Sequence, residues 1–125
     1  MTADDRILVD DIMTTPIETV SADTTLVEAA GIMRDLNITA LLVTTAPPSI
    51  VTSTDVLDAV ASGQDTSELD VTDVMTESVE TVPPNLPINE AAQMMTTYGI
   101  SHLPVVTDDY IGMVSSTDIT AHLSE

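Results

Sequence analysis

The stretch "ILVDDIMT" at residues 7–14 returns as "LDVTDVMT" at 69–76, and this repetition decides the fold. At the same offset Val20 matches Val82, Glu28 matches Glu90, and Met33 matches Met95. A second word, "SIVTSTDV" at 49–56, returns as "GMVSSTDI" at 112–119 after one inserted residue, which belongs in a loop. Because a repeated unit that cannot bury its own apolar face must pack on its twin, the sequence predicts two similar units.

The repeats are predicted at residues 7–61 and 69–123, joined by the polar linker "SGQDTSE" at 62–68. Each repeat is predicted to run strand, helix, strand, strand, helix, which makes the chain an α/β protein of the α+β kind. Short apolar runs, "ALLV" at 40–43 and "HLPVV" at 102–106, are typical of strands that are buried on both faces.

The first helix of each repeat shows apolar residues at helical spacing. They are Leu26, Ala29, Ala30, Met33 and Leu36 in one repeat, and Ile88, Ala91, Ala92, Met95 and Tyr98 in the other. Thr25 and Glu28 have the spacing of a capping box, and Pro87 suits the first turn of its helix. Asn37 and Gly99, which tolerate a left-handed conformation, are predicted to end the two helices.

The charge of the chain limits its partners. The 125 residues carry a formal charge of −19, with Arg6 and Arg34 as the only basic residues besides two histidines. Such a surface offers almost no cations to nucleic acid or anionic lipid, so neither is an expected partner. The acidic composition without lysine resembles cytoplasmic proteins of salt-accumulating halophiles, although an ordinary acidic protein is the alternative.

Several classes of protein are unexpected from the remaining composition. There is no cysteine, which excludes disulfides and thiolate sites, and the acidic N-terminus does not resemble a signal peptide. The apolar runs are too short to cross a bilayer, so we expect a cytoplasmic protein without membrane insertion. No Ser/His/Asp set, Gly-rich phosphate loop or metal-ligand cluster is evident, and we therefore expect no enzymatic activity.

The two repeats resemble a tandem pair of cystathionine-β-synthase (CBS) domains. The resemblance rests on "DIMT" and "DVMT", "EAAGIM" and "EAAQMM", "GISHLPVV", and the two endings "IVTSTDV" and "MVSSTDI", and it covers residues 7–123. It implies two β-α-β-β-α units packed about a pseudo-twofold axis, with two clefts between them. It also implies a regulatory module that binds an adenosine ligand, namely AMP, ADP, ATP or S-adenosylmethionine, and that forms a homodimer.

The resemblance also implies which residues bind this ligand. The ribose-binding pairs fall on Thr52 with Asp55, and on Ser115 with Asp118. The adenine-lining stretches fall on Thr15, Pro16 and Ile17, and on Glu77, Ser78 and Val79, while His102, Leu103 and Pro104 are expected to wall the second cleft. A carboxylate that accepts hydrogen bonds from both ribose hydroxyls is chemically suited to this role.

A second interpretation of the Thr/Ser and Asp pairs stays open. A hydroxyl residue followed three positions later by Asp, just before an apolar helix, is also typical of a helix N-terminus. Here Ser53, Thr54, Ser116 and Thr117 are candidate caps. His102 is also compatible with a histidine that has a packing role only, and His122 with a solvated one.

The first cleft departs from the family pattern more than the second. Ser49 and Leu42 stand where the second repeat has Gly112 and Pro104. The positions before the two aspartates, where many family members carry a cation, are Thr54 and Thr117, which leaves Arg6, Arg34 and His102 as candidates to face phosphates. A polyphosphate would therefore need Mg²⁺ or K⁺ as a companion.

The output of the predicted sensor is expected in trans. The chain ends shortly after the second repeat, so no effector domain is expected within it, and an unidentified regulated protein would receive the signal. The alternative function is a ligand-free scaffold that dimerises or holds a partner enzyme or transporter.

Overall fold

The computed structural model describes residues 7–77 and 79–123 and mixes helices with short strands. In chain order the elements are α1 (Val9–Ile12), β1 (Thr19–Val20), α2 (Leu26–Leu36), β2 (Ala40–Val43), β3 (Ser49–Thr52), α3 (Ser53–Ala61), a 3-10 turn (Val71–Asp73), α4 (Ile88–Tyr98), β4 (His102–Val106), β5 (Tyr110–Ser115) and α5 (Ser116–Leu123). The predicted α+β class is confirmed.

The chain forms two compact units, and each unit contains the opening segment of one repeat and the body of the other. One unit comprises residues 18–79, which hold most of the first repeat and the start of the second. The other comprises residues 7–17 together with 80–123. Sequence similarity and compactness therefore divide the chain at different places, because the opening segment of each repeat packs with the body of the other.

The unit at 18–79 is built on the sheet β1-β2-β3. β1 lies parallel to β2, and β2 lies antiparallel to β3. Beyond β3, Thr76 forms an isolated antiparallel bridge with Ile50, in which the two residues exchange hydrogen bonds of 3.0 and 2.8 Å. The segment that opens the second repeat thus extends the sheet of this unit.

The other unit has the same order of strand positions across its sheet, with the antiparallel pair β4-β5 at the centre. Val82 bridges Val105 in the parallel sense, so the strand predicted at this point is reduced to one bridging residue. On the far side, Thr14 bridges Met113 through hydrogen bonds of 2.8 and 3.0 Å. Each sheet therefore has four strand positions, and the position beyond β3 or β5 is occupied by a residue of the opposite repeat.

Each unit has its own apolar core beneath its sheet. Leu26, Leu41, Val43 and Val51 are fully buried in one, and Val9, Leu103, Val105 and Val114 are fully buried in the other. The alternate residues of the central strands, such as Leu42 and Pro104, are also buried. The prediction that these strands are buried on both faces is confirmed.

The predicted helix boundaries are confirmed in detail. The Thr25 hydroxyl accepts a hydrogen bond from the Glu28 N–H, and Glu28 Oε1 accepts from the Thr25 N–H at 3.0 Å. Asn37 and Gly99 adopt left-handed conformations with φ of 57° and 66°. Pro87 stands at the N-cap of α4, immediately before the first turn in which we expected it.

The predicted apolar stripes are correct except at their ends. Leu26, Ala29 and Met33 are buried on α2, and Ile88, Ala91 and Met95 are buried on α4, but Leu36 and Tyr98 are about half exposed. The periodic pattern determines which side of a helix faces the core, but it does not determine how far along the helix the core extends.

Candidate functional site

The first candidate pair, Thr52 and Asp55, lies where β3 runs directly into α3. Thr52 is the N-cap of α3, and its hydroxyl accepts from the Asp55 N–H at 3.3 Å. In return, Asp55 Oδ2 accepts from the Thr52 N–H at 2.8 Å. Both side chains are partly exposed. The short connection between strand and helix thus fixes the carboxylate beside the end of the strand.

The second pair, Ser115 and Asp118, has the same geometry between β5 and α5. Asp118 Oδ2 accepts from the Ser115 N–H at 2.9 Å, and the Ser115 hydroxyl accepts from the Asp118 N–H at 3.1 Å. The repeated word in the sequence is therefore a repeated capping box at a strand-to-helix junction.

These capping hydrogen bonds correct one detail and leave both interpretations of the pairs in place. The residues that cap the helices are Thr52 and Ser115, whereas Ser53, Thr54, Ser116 and Thr117 belong to the helices themselves. Each carboxylate accepts one backbone N–H through Oδ2, but a carboxylate has about four acceptor positions. Capping therefore orients the aspartates without exhausting their capacity to bind a diol.

His102 lies beside Ser115 in the β4-β5 ladder. The two residues are direct partners across the strands, and Pro104 is the partner of Met113. Because side chains alternate along a strand, His102 and Pro104 share a face with Ser115, and Leu103 points to the other face, where it is fully buried in the core. Leu103 is therefore a core residue, which corrects the expectation that it walls a cleft. Pro104 is also fully buried.

The adenine-lining stretches sort into the two units in a crossed manner. Thr14 is bridged to Met113, so the following residues Thr15, Pro16 and Ile17 belong to the unit that holds Ser115 and Asp118. Thr15 and Pro16 are exposed and Ile17 is partly buried.

The opposite crossing occurs in the other unit. Thr76 is bridged to Ile50, and the exposed Glu77 and the partly buried Val79 follow in the unit that holds Thr52 and Asp55. Ser78 lies outside the described residues. The sequence could not reveal this crossing, because pairing between distant segments is not determined by local patterns, which are similar in the two repeats.

The candidate residues have few cations near them. Arg34 lies on α2, where its guanidinium forms a 3.0 Å ion pair with Asp35 at the surface. Arg6 lies outside the described residues, and His102 Nδ1 lies 3.2 Å from the Ser101 hydroxyl. In residues 7–77 and 79–123, no group of three or more His, Asp and Glu side chains could hold a metal ion.

Two open grooves lie between pairs of helices, and neither Asp55 nor Asp118 is among their lining residues. A groove of about 400 Å³ between α2 and α3 is lined mainly by apolar side chains, including Met33, Val56, Leu57 and Val60. A groove of about 330 Å³ between α4 and α5 is lined with more hydroxyls, including Thr96, Ser101 and Ser116. For the part of the chain that the structure describes, no helix is both long and apolar enough to cross a membrane.

The matches to known proteins agree with this repeated architecture. The family model of the CBS domain matches residues 9–62 and again residues 71–125. The chain belongs to the CBS domain family. This CBS pair is 31% identical to the CBS domain-containing protein YhcV of Bacillus subtilis over 118 residues, which cover 91% of the chain and 84% of YhcV.

CBS pairs of similar sequence also occur inside larger enzymes. A homoserine O-acetyltransferase of Methanohalobium evestigatum is 36% identical over 122 residues, or 94% of this chain. This chain spans only 24% of the length of that enzyme.

Solved structures share the fold closely. The CBS domain pair of protein MJ0100, in complex with 5′-methylthioadenosine and S-adenosyl-L-methionine, is 31% identical with a TM-score of 0.82, over 94% of this chain and 96% of that one. A hexameric CBS-CP12 protein from bloom-forming cyanobacteria is 27% identical with a TM-score of 0.86, over 91% of this chain and 69% of that one.

Proposed function

We propose that this CBS pair is a regulatory sensor that binds an adenosine-containing ligand, has no catalytic activity of its own and passes its response to another protein. The observation that carries the proposal is the capped Thr/Ser and Asp pair, which occurs once in each unit, and each unit also contains a partly exposed stretch from the opposite repeat. The MJ0100 pair, which binds two adenosine compounds, supports the same ligand class.

The chemistry of the pairs suits a ribose. An ionised carboxylate held by one backbone N–H can accept hydrogen bonds from two neighbouring hydroxyls, and such charge-assisted bonds are stronger than neutral ones. The capping hydroxyl of Thr52 or Ser115 adds a group that can donate or accept. Ser115 also has His102 as its partner across the ladder, whereas the matching partner of Thr52 is Ala40.

The charge of the protein limits which adenosine-containing ligands are favoured. A surface of net charge −19 opposes the approach of an anion, and Arg34 already pairs with Asp35. AMP, adenosine and the cationic S-adenosylmethionine therefore fit better than free ATP or ADP. Mg²⁺ or K⁺ bound with the phosphates would offset the repulsion for the nucleotides.

The proposal is tested by calorimetric titration of the protein in molar KCl with S-adenosylmethionine, AMP, and ATP with and without Mg²⁺. We expect at least one of the first two to bind, and Mg²⁺-free ATP to bind more weakly than AMP. No heat and no rise in melting temperature with any adenosine compound would refute a sensor of this class. Tighter binding of Mg²⁺-free ATP than of AMP would refute the charge argument.

The alternative function is a scaffold that associates with a second copy of this chain. Leu57 and Val60, beside the α2-α3 groove, are 67% and 55% exposed, and burial of such side chains on a partner copy would be favourable. The CBS-CP12 protein, which contains a similar CBS pair, is hexameric, and this supports self-association. If the groove joins two copies, Leu57→Asp should convert a dimer into a monomer in light scattering, and Val27→Asp, at an exposed site outside the groove, should not.

A further inference from the structure

Gly112 of β5 lies where the first segment of the chain passes closest to the strand. A Cβ placed at this glycine would meet Met13 Sδ at 2.8 Å, the Thr14 carbonyl oxygen at 2.9 Å and Thr15 Cγ2 at 3.1 Å. Two of these distances are shorter than real Cβ atoms show, and one of the two is to a backbone atom that cannot rotate away. Any side chain at position 112 must therefore displace the segment.

This segment, residues 7–17, which we call the strap, is held along its length. Val9 is fully buried, and its N–H donates to the Leu86 carbonyl at 2.8 Å. Farther along, the Thr14 N–H donates to the Met113 carbonyl at 2.8 Å, and the Met113 N–H donates to the Thr14 carbonyl at 3.0 Å. The strap then continues into the exposed Thr15 and Pro16, which are among the candidate adenine-lining residues.

The other unit holds its equivalent segment without a glycine. Ser49 occupies the matching position, where it is 2% exposed and its hydroxyl lies 2.8 Å from Thr45 Oγ1. Thr76 still exchanges both hydrogen bonds with Ile50. The close approach at Gly112 is therefore a property of one unit and does not follow from the repeat as such.

We propose that Gly112 is a positioning residue that seats the strap against β5, and that ligand binding and seating of the strap stabilise each other. The second part rests on the proposed function, since a ligand held by Asp118 and by residues 15–17 contacts the body of the unit and the strap together. Coupling of this kind is reciprocal: a ligand that binds more tightly when the strap is seated shifts the equilibrium toward the seated strap by the same factor. Whether the strap is seated would thereby depend on whether a ligand is bound, and a protein that contacts residues 7–17 could detect the difference.

The first experiment needs no ligand. Hydrogen exchange of the Thr14 and Met113 amides is measured in the wild type, in Gly112→Ala, and in Gly31→Ala, a control in which the added Cβ meets nothing within 4 Å. We expect exchange at both amides to accelerate about tenfold or more in Gly112→Ala, since overpacking opens the contact locally. The Ile50 and Thr76 amides should be unchanged, and wild-type protection at Thr14 and Met113 in Gly112→Ala would overturn the proposal.

A second variant covers the case in which Gly112→Ala does not fold. Thr14→Pro removes the N–H that donates to Met113 and adds nothing at position 112. Met13, with φ −66° and ψ 155°, already has the extended conformation that a following proline requires. We expect Thr14→Pro to accelerate exchange at Met113, and unchanged protection there would contradict the proposal.

The second experiment measures the coupling with S-adenosylmethionine and AMP as probes. In the wild type, saturation should slow exchange at Thr14 and Met113, and both variants should bind the probe more weakly than Gly31→Ala. Binding of equal affinity by the wild type and both variants would overturn the coupling while leaving the proposed function intact. Absence of binding by the wild type would refute the proposed function and the coupling together, and the first experiment would still decide the role of Gly112.

Discussion

At the scale of single residues, the two aspartates cap helices, and this role is compatible with the ligand binding that we propose for them. Asp55 and Asp118 complete capping boxes, and the same hydrogen bonds orient their carboxylates at a strand-to-helix junction. Capping therefore does not argue against ligand binding, because the cap determines where the charge lies. A test of ligand binding must remove the charge and keep the cap.

We predict that Asp118→Asn weakens adenosine-ligand binding by about ten- to a hundredfold, the loss expected for a charge-assisted hydrogen bond. The asparagine oxygen can still accept from the Ser115 N–H, so the melting temperature should fall no more than it does in Glu28→Gln, where the capping oxygen is retained in the same way. Asp55→Asn should have the smaller effect, since Thr52 has Ala40 rather than a histidine as its ladder partner. Calorimetry and thermal melting on the same samples measure both quantities.

Glu28→Gln is the matched control for this pair of variants. Glu28 occupies the same position in the capping box of α2, but neither candidate pair includes it. Its replacement should leave ligand affinity unchanged. Equal affinity of the wild type and Asp118→Asn would show that Asp118 is a cap alone.

At the scale of elements, the hydrogen bonds within the capping box of α2 also carry a pH dependence. Hydrogen bonds from the Thr25 N–H and hydroxyl lower the pKa of the Glu28 carboxyl. A carboxyl whose pKa is lowered by folding stabilises the folded state above its unfolded pKa, and this stabilisation is lost as the pH falls through the folded pKa. The contribution should therefore begin to disappear as the pH falls into the ordinary titration range of a glutamate carboxyl, about 4.3, and should be lost below the folded pKa.

We predict that Glu28→Gln lowers the melting temperature at neutral pH and that the difference from the wild type shrinks as the pH falls through the ordinary range of a glutamate carboxyl and below it. Thermal melting in molar KCl measures it. Glu90→Gln is the control, because Pro87 at the N-cap of α4 makes no side-chain capping bond. A difference for Glu28→Gln that stays constant down to pH 3 would be inconsistent with the capping role.

The elements also show how far the sequence could predict this protein. Caps, left-handed stops and helix faces depend on neighbours within a few residues, so Thr25, Asn37 and Met33 could be assigned from local patterns. The pairing of Thr14 with Met113 depends on a choice between two partner strands, β3 and β5, that both continue into the same capping motif, and local patterns do not decide between them. The capped strand-to-helix junctions could therefore be predicted from the sequence, whereas the pairing of each opening segment with the opposite repeat could not.

At the scale of the whole molecule, the charge dominates the solution behaviour. With 21 acidic residues and two basic ones, repulsion between carboxylates opposes compaction wherever salt does not screen it. The ion pair of Arg34 and Asp35 is too exposed to offset this, with side chains 80% and 67% accessible. We propose that the protein works in a cytoplasm of high salt.

We predict that melting is cooperative in molar KCl and loses cooperativity as KCl falls to about 0.1 M, where the screening length grows from about 3 Å to about 10 Å. Calorimetric melting across a KCl series measures this. A parallel series in which sucrose replaces KCl separates screening from general stabilisation of the compact state. A melting temperature independent of KCl would contradict adaptation to salt.

The exchange of opening segments between the units also affects the order in which the protein folds during its synthesis. The unit at 18–79 is contiguous in sequence, so it can complete its sheet once Thr76 has left the ribosome and before β5 has done so. The other unit cannot complete its sheet until β5 has emerged, because the bridge partner of Thr14 is Met113 in β5. Val9 and its neighbours must therefore remain without their core while most of the chain is translated, and the dense negative charge of the nascent chain discourages aggregation during this interval.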